Sequence, residues 1–207
     1  MKNKFNEQDE EKLVKLDYMA GILMPNLPYH NKKHADYLVS TALLIADEEG
    51  IDYDGRLSLA AAGFSHDIVV EVIRNNGSAS YSQENEKRSA LFVRHYFPLI
   101  GFSDKIAKDS SRLVLATKMP QIPQDLLEEI ICDADLWNFG GDEFFECGDG
   151  VRKELGIPEG RGWYEGSLKL LEGHKYHTKS ARKLRNEGKY RNILKLFELI
   201  KNGGKLK

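Results

Sequence analysis

Three short segments carry side chains able to hold a metal ion or move a proton: Tyr29-His30-Asn31-Lys32-Lys33-His34-Ala35-Asp36, His66-Asp67 and Asp133-Ala134-Asp135. His30 and His34 lie one helical turn apart, so a helix beginning near Asn31 lets both imidazoles address one side. Taken alone, such a pair is more often surface or core histidine with satisfied hydrogen bonds. His66 and Asp67 stand inside the apolar run AAAGFSHDIVV, where adjacent ionisable side chains are costly unless they are paired or bind a metal. A bend in the helix there would turn both toward one ion. Asp133 and Asp135 are two apart on a predicted helix, so at most one of them should face a site centred on His66-Asp67. Asp133, directly after the apolar Ile130-Ile131-Cys132, is the expected inward residue. Together His34, His66, Asp67 and Asp133 make a mixed nitrogen and oxygen set suited to Mn, Fe, Zn or a similar divalent ion, with open positions for water.

Other chemistries find no support. GFSHD, NNGSAS and GGDEFF lack the GxxxxGK[ST] and GxGxxG spacings of phosphate-binding loops. Ser89, Ser110 and Ser111 have no triad context, and the zinc-peptidase HExxH is absent, since Asn follows His30 and Ala follows His34. Cys132 and Cys147 are too few for a disulfide framework and form no CxxC, which points to a reducing, cytoplasmic setting. The N-terminal MKNKFNEQDEE has no signal-peptide core, and no run approaches the roughly 20 apolar residues of a membrane span.

The elements that must position these side chains read as helices. Leu13, Leu16 and Ala20 give a first helix before residue 21. Ala35, Leu38, Val39, Ala42, Leu43 and Ala46 form an apolar stripe over 31–49, with Gly50 placed to end it. RLSLAAAGFSHDIVVEVI is apolar on more than one side and belongs in the middle of the core. RNNGSASY, residues 74–81, reads as a loop. Ser82 is an expected N-cap for a helix to Phe97, and Ser103 starts another that runs to Met119. Pro123 fits the first turn of a helix through Cys132 to Trp137. Further helices are expected over 142–155, 161–174, 178–187 and 189–202, and no clean strand alternation is present. With 207 residues, this predicts one all-α globule over 1–207. Its net charge of −2 conceals an asymmetry, for residues 161–207 carry 13 Lys or Arg against 4 Asp or Glu. That basic helical extension, from about 161, is placed to present a positive field to phosphate, although solvated helix faces account for it equally well.

The ordered set His34, His66-Asp67, Asp133 resembles the signature of the HD-domain superfamily of metal-dependent phosphohydrolases, a helical family. YHNKKHAD resembles the corresponding segment of the cyclic nucleotide phosphodiesterases, and Asn85-Glu86-Lys87-Arg88-Ser89-Ala90 and DADLWNFG are similar to segments of an HD-type phosphohydrolase family. The resemblance implies that His34, His66, Asp67 and Asp133 are the metal ligands. It makes His30 the general acid that protonates the leaving alkoxide, while a metal-activated water attacks phosphorus. Mn, Fe, Mg, Co, Ni and Zn all remain open. Many two-metal HD enzymes carry further histidines between the HD pair and the last Asp, and this chain offers only His95 there. One metal with four protein ligands is therefore expected, and a second would be bridged by Asp67 and held mostly by water.

Around that centre, Glu86 is placed to hydrogen-bond the activated water or a ligating histidine, against a plain role in helix N-terminal charge complementarity. Arg88, Lys118, Arg152 and Arg161 are candidates for holding substrate phosphate. Trp137, Phe139, Phe144, Phe145 and Trp163 are core residues or the walls of a nucleobase pocket. His174 and His177 are expected to flank a helix junction, with Thr178 as N-cap. The implied partner is a phosphorylated small molecule, a nucleotide before a nucleic acid. The purine-selecting glutamine of the phosphodiesterases has no match, which counts against a cyclic nucleotide; monoester and diester cleavage both stay open, and so does a homo-oligomer. The competing class is a non-catalytic HD-like module binding nucleotide or RNA through the basic C-terminal portion.

Overall fold

Short polar side chains at helix starts set where the elements begin. In the computed structural model, which describes residues 5–203, Asn6 accepts from Asp9 N at the head of α1 (Glu7–Leu23), and Asn31 accepts from Lys33 N and His34 N at the head of α2 (Lys32–Glu48). Asp52, Ser103, Asp125 and Thr178 do the same for α3 (Tyr53–Ser65), α5 (Asp104–Ala116), α6 (Leu126–Asp135) and α9 (Lys179–Lys201). Each such bond satisfies an N–H that the helix itself leaves unpaired. The remaining helices are α4 (Asn85–Tyr96), α7 (Phe144–Glu154) and α8 (Arg161–Gly173), with short 3-10 turns at Phe97–Ile100 and Trp137–Gly140. The expectation of an all-helical fold is met, and among the described residues no helix is long and apolar enough to cross a membrane.

The apolar α3 is the central rod. Leu57, Leu59, Ala60, Ala61 and Ala62 are all buried, and α1, α2, α4, α5 and α6 pack around it. One connected set of buried side chains runs from Leu13 in α1 to Leu199 in α9.

Four sequence expectations are corrected. The third helix does not continue to Ile73: it ends at Ser65, His66 is its cap, and the chain turns out at Asp67. That exit is held by polar groups of α4, Ser89 Oγ accepting from Val69 N at 3.1 Å and Asn85 Oδ1 from Glu71 N at 3.0 Å. Residues 74–81 are not a loop but most of an antiparallel hairpin, β1 (Val72–Asn75) with β2 (Ser78–Tyr81), in register Val72 to Tyr81. Asn76 and Gly77, both at positive φ, make its two-residue turn, so the Asn-Gly pair was the readable signal. The α4 helix accordingly starts at Asn85, after a cap at Glu84 and not at Ser82.

The fourth correction concerns Gly188, which looks like a break between two helices and instead lies inside the unbroken α9. A Cβ there would sit 2.0 Å from the Gly140 carbonyl oxygen, and one on Gly140 would sit 2.4 Å from Arg185 O. The two glycines let α9 lie directly on the Trp137–Gly140 turn, where Asn192 Nδ2 donates to Phe139 O and Gly141 O. Gly188→Ala should therefore cost about 1–3 kcal/mol through overpacking, lowering Tm by roughly 2–4 °C per kcal/mol at this chain length. Thermal denaturation that shows an unchanged or raised Tm would contradict this packing role.

Candidate metal and proton-transfer site

Three helix ends deliver the central side chains. His34 projects from the first turn of α2, His66 and Asp67 from the turn closing α3, and Asp135 from the last residue of α6. The His34 and His66 Nε2 atoms stand 3.1 Å apart. Asp67 Oδ2 is 2.9 Å from His66 Nε2 and 3.6 Å from His34 Nε2, and Asp135 Oδ1 is 3.3 Å from His34 Nε2 and 3.8 Å from His66 Nε2. His66 Nδ1 lies 2.9 Å from Gly63 O, an acceptor only, so Nδ1 carries a proton, and whenever the ring is neutral Nε2 turns a lone pair toward the cluster.

These spacings fit a divalent cation. With donors about 2.1 Å from an ion, neighbouring donors are about 3.0 Å apart at right angles and about 3.4 Å apart at tetrahedral angles. His34, His66 and Asp67 form a compact ligand group of this kind by themselves, and Asp135 Oδ1 lies against its two imidazoles.

Asp133 does not join them. Its buried carboxylate accepts from His177 N at 2.7 Å and from Thr178 N and Oγ1 at 2.8 Å, tying α6 to the start of α9. Burial keeps its carboxyl above the ordinary range, against the pull of those hydrogen bonds. The two aspartates do face apart, as their spacing requires, but the inward assignment is reversed. Asp135 is the carboxylate at the cluster, with Gln121 Nε2 donating to its other oxygen at 3.0 Å. His95 lies exposed on α4 and has no part in the site.

His30 stands beside this cluster with a partner that sequence reading missed. Its Nδ1 is 2.6 Å from Oε2 of Glu154, which also accepts from Tyr81 OH at 2.6 Å. The other oxygen accepts from the backbone N–H of Tyr29 at 2.5 Å and of His30 at 2.8 Å. Glu154 is only 2% exposed, and four donors hold its carboxyl below the ordinary value despite burial. Nothing in the sequence marks a glutamate at the end of α7 as the neighbour of a histidine 124 positions earlier.

The local field is negative. Burial opposes charge on His66, but Asp67 and Asp135 outweigh it and hold the ring up to about 9. Burial opposes charge on Asp67 as well, and the surrounding imidazoles hold its carboxyl well below the usual range. His30 is raised, since Asp67, Glu154 and Asp135 overcome its burial. Glu86 is raised by burial and then by Asp67 and Asp135, and its Oε2 is buried without a hydrogen-bond partner.

All of this opens into a cavity of about 360 Å³. His30, Asp67, Glu86, Lys118 and Asp135 line its polar side, and Phe139, Phe144 and Trp163 its apolar side. Of the four expected phosphate contacts only Lys118 lies there, its Nζ donating to Gln83 O at 2.6 Å. Arg88 pairs with Glu71, Arg152 with Asp149 and Arg161 with Glu165, and none of them lines the cavity. Trp137 is buried under the Arg185 guanidinium, and Phe145 lines a neighbouring cavity.

No protein-family model matches the chain, and no curated protein matches it. Among solved structures it is similar to Bacillus subtilis YpgQ in complex with ADP, with a TM-score of 0.69 over 94% of this chain and 96% of that one. Identity is 16%, so the likeness is one of fold.

The two aspartates should separate experimentally. Asp135→Ala is expected to weaken binding of added Mn²⁺ at least tenfold while Tm falls little. Asp133→Ala should leave metal affinity within a few-fold and lower stability by about 1–3 kcal/mol for the buried donors left unpaired. Metal titration beside thermal denaturation reads both, and equal loss of metal in the two variants would refute the assignment.

Proposed function

We propose that this chain is a metal-dependent phosphohydrolase of the HD-domain type, acting on a phosphomonoester or phosphodiester of a nucleotide. The observation that carries the reading is the convergence of His34, His66, Asp67 and Asp135 beside a cavity whose wall holds the His30–Glu154 pair. The fold likeness to a protein solved with ADP supports the nucleotide part.

A divalent cation at His34, His66, Asp67 and Asp135 would supply an activated water near neutral pH and offset charge on the phosphoryl oxygens. The chain's own residues do the rest. Glu154, ionised and buried, keeps the proton of neutral His30 on Nδ1, so protonation of the ring puts the transferable proton on Nε2, the nitrogen free to meet a leaving oxygen. The aromatic contacts of His30 with Tyr29 and Tyr81, at centroid distances of 4.9 and 4.7 Å, fix the ring plane. Glu86 Oε2 is the one cavity carboxylate oxygen that is buried and unpaired, placed to accept from water entering the site. Lys118 brings a positive charge to the same wall, suited to a non-reacting phosphoryl oxygen. Phe139, Phe144 and Trp163 offer the apolar surface that a base would cover. A purely binding module would have no use for a proton donor locked by four hydrogen bonds on its supporting carboxylate.

A panel of nucleotide monoesters and diesters with Mn, Mg, Co, Ni and Fe supplied separately tests the reaction. Hydrolysis should require added metal, and Asp67→Ala should abolish both metal retention and turnover. Full activity in thoroughly metal-stripped protein would sink the mechanism. His30→Ala should lower kcat by about 10²–10⁴-fold with metal content unchanged. A variant that keeps full kcat removes His30 from the chemistry.

A further inference from the structure

Behind Asp135 lies a second cavity, of about 680 Å³, between the 119–121 segment, α8 and the loop that joins α8 to α9. It shares Met119, Leu136 and Leu170 with the cavity of the metal cluster. Gln121, whose side chain donates to the outer oxygen of Asp135, also lines it, so an amide–carboxylate pair stands beside these three apolar residues between the two cavities.

Its charge is one-sided. Lys169 and Lys175 supply it, His174 and His177 line the wall beside them, and none of the lining residues is acidic. Lys169 and Lys175 are exposed, and neither makes an ion pair or a side-chain hydrogen bond, unlike Arg88, Arg152 and Arg161, each of which already holds a carboxylate. The positive field also registers on neighbouring groups. Burial and then the Lys189 ammonium push His174 down to about 3, and burial followed by Lys175 lowers Lys189 itself. Cations gathered without counter-charge at a concave surface repel one another, and a bound anion relieves that repulsion.

We infer that this second cavity binds a phosphate group through Lys169 and Lys175. Resting on the reading of the first cavity as a phosphoryl-transfer site, the inference makes the preferred substrate a nucleotide with a second, separated phosphate, which reaches across Leu136 and Leu170 while the reacting phosphate lies at the cluster. The same chemistry would also suit a free inorganic polyphosphate, and the two sources separate by experiment.

Binding is measured by titration calorimetry without added metal, so that no turnover intervenes, using AMP, a 5′-phosphorylated dinucleotide and inorganic tripolyphosphate at two salt concentrations. Wild type is compared with a Lys169→Ala/Lys175→Ala double variant and with the Lys169→Gln/Lys175→Gln pair, which removes the charge but keeps an unbranched polar side chain. The dinucleotide should bind wild type at least tenfold tighter than AMP, and both double variants should remove that advantage, leave AMP unchanged, and flatten the salt dependence by about one unit of log–log slope or more. Lysine dependence for tripolyphosphate alone assigns the cavity to a free anion. Identical affinity and salt slope in wild type and both variants for every ligand would overturn the inference. Loss of hydrolysis with intact lysine-dependent binding counts against the hydrolase reading alone, and hydrolysis without lysine dependence counts against this inference alone.

Discussion

Two imidazole nitrogens and two carboxylate oxygens, all natural acceptors in the neutral-histidine state, are held within 4 Å of their neighbours at the mouth of a largely buried pocket. Left with nothing positive between them, such groups repel, and burial away from water sharpens the cost. A proton offsets part of this, which is why His66 holds one so tightly; a divalent cation offsets more. The scaffold must supply rigidity against that repulsion. It does so with helix ends, whose backbone is fixed by capping and by the close packing of α2 and α6 on α3.

The same logic of buried charge with full hydrogen bonding governs the His30–Glu154 pair. Glu154 would be expensive in its position if any of its donors were missing, since an unpaired buried ion costs far more than its hydrogen bonds return. Its four donors come from two segments, the Tyr29-His30 turn and the end of the hairpin at Tyr81. The hairpin is therefore part of the site's support, and Arg74 adds to the connection by donating to Glu154 O at 2.9 Å.

Much of this was readable from residue patterns because it depends on local periodicity. The apolar filling of α3 placed it in the core, and His66-Asp67 in that context announced an ionisable pair with a purpose. Asp133 and Asp135 show where such reading ends. Their spacing dictates opposite faces, but which face meets the cluster depends on the rotation of α6 about its axis, and that is set by Thr178 and His177 more than 40 residues later. Glu154 was hidden for the same reason, as a contact across 124 positions leaves no periodic trace. Gly188 misled in the other direction, because a glycine that admits a neighbouring carbonyl looks, in sequence, like one that ends a helix.

The double use of the Asp133-Ala134-Asp135 turn also bears on the order in which the molecule can be completed. Asp133 is fully buried, and its hydrogen-bond donors belong to the first residues of the last long helix. During synthesis, with the N-terminal part emerging first, α6 can pack on α2, α3 and α5, but Asp133 lacks its hydrogen-bond donors until Thr178 has left the ribosome. A polypeptide ended before His177 would bury the Asp133 carboxylate without the three donors that satisfy it, a cost the complete chain avoids.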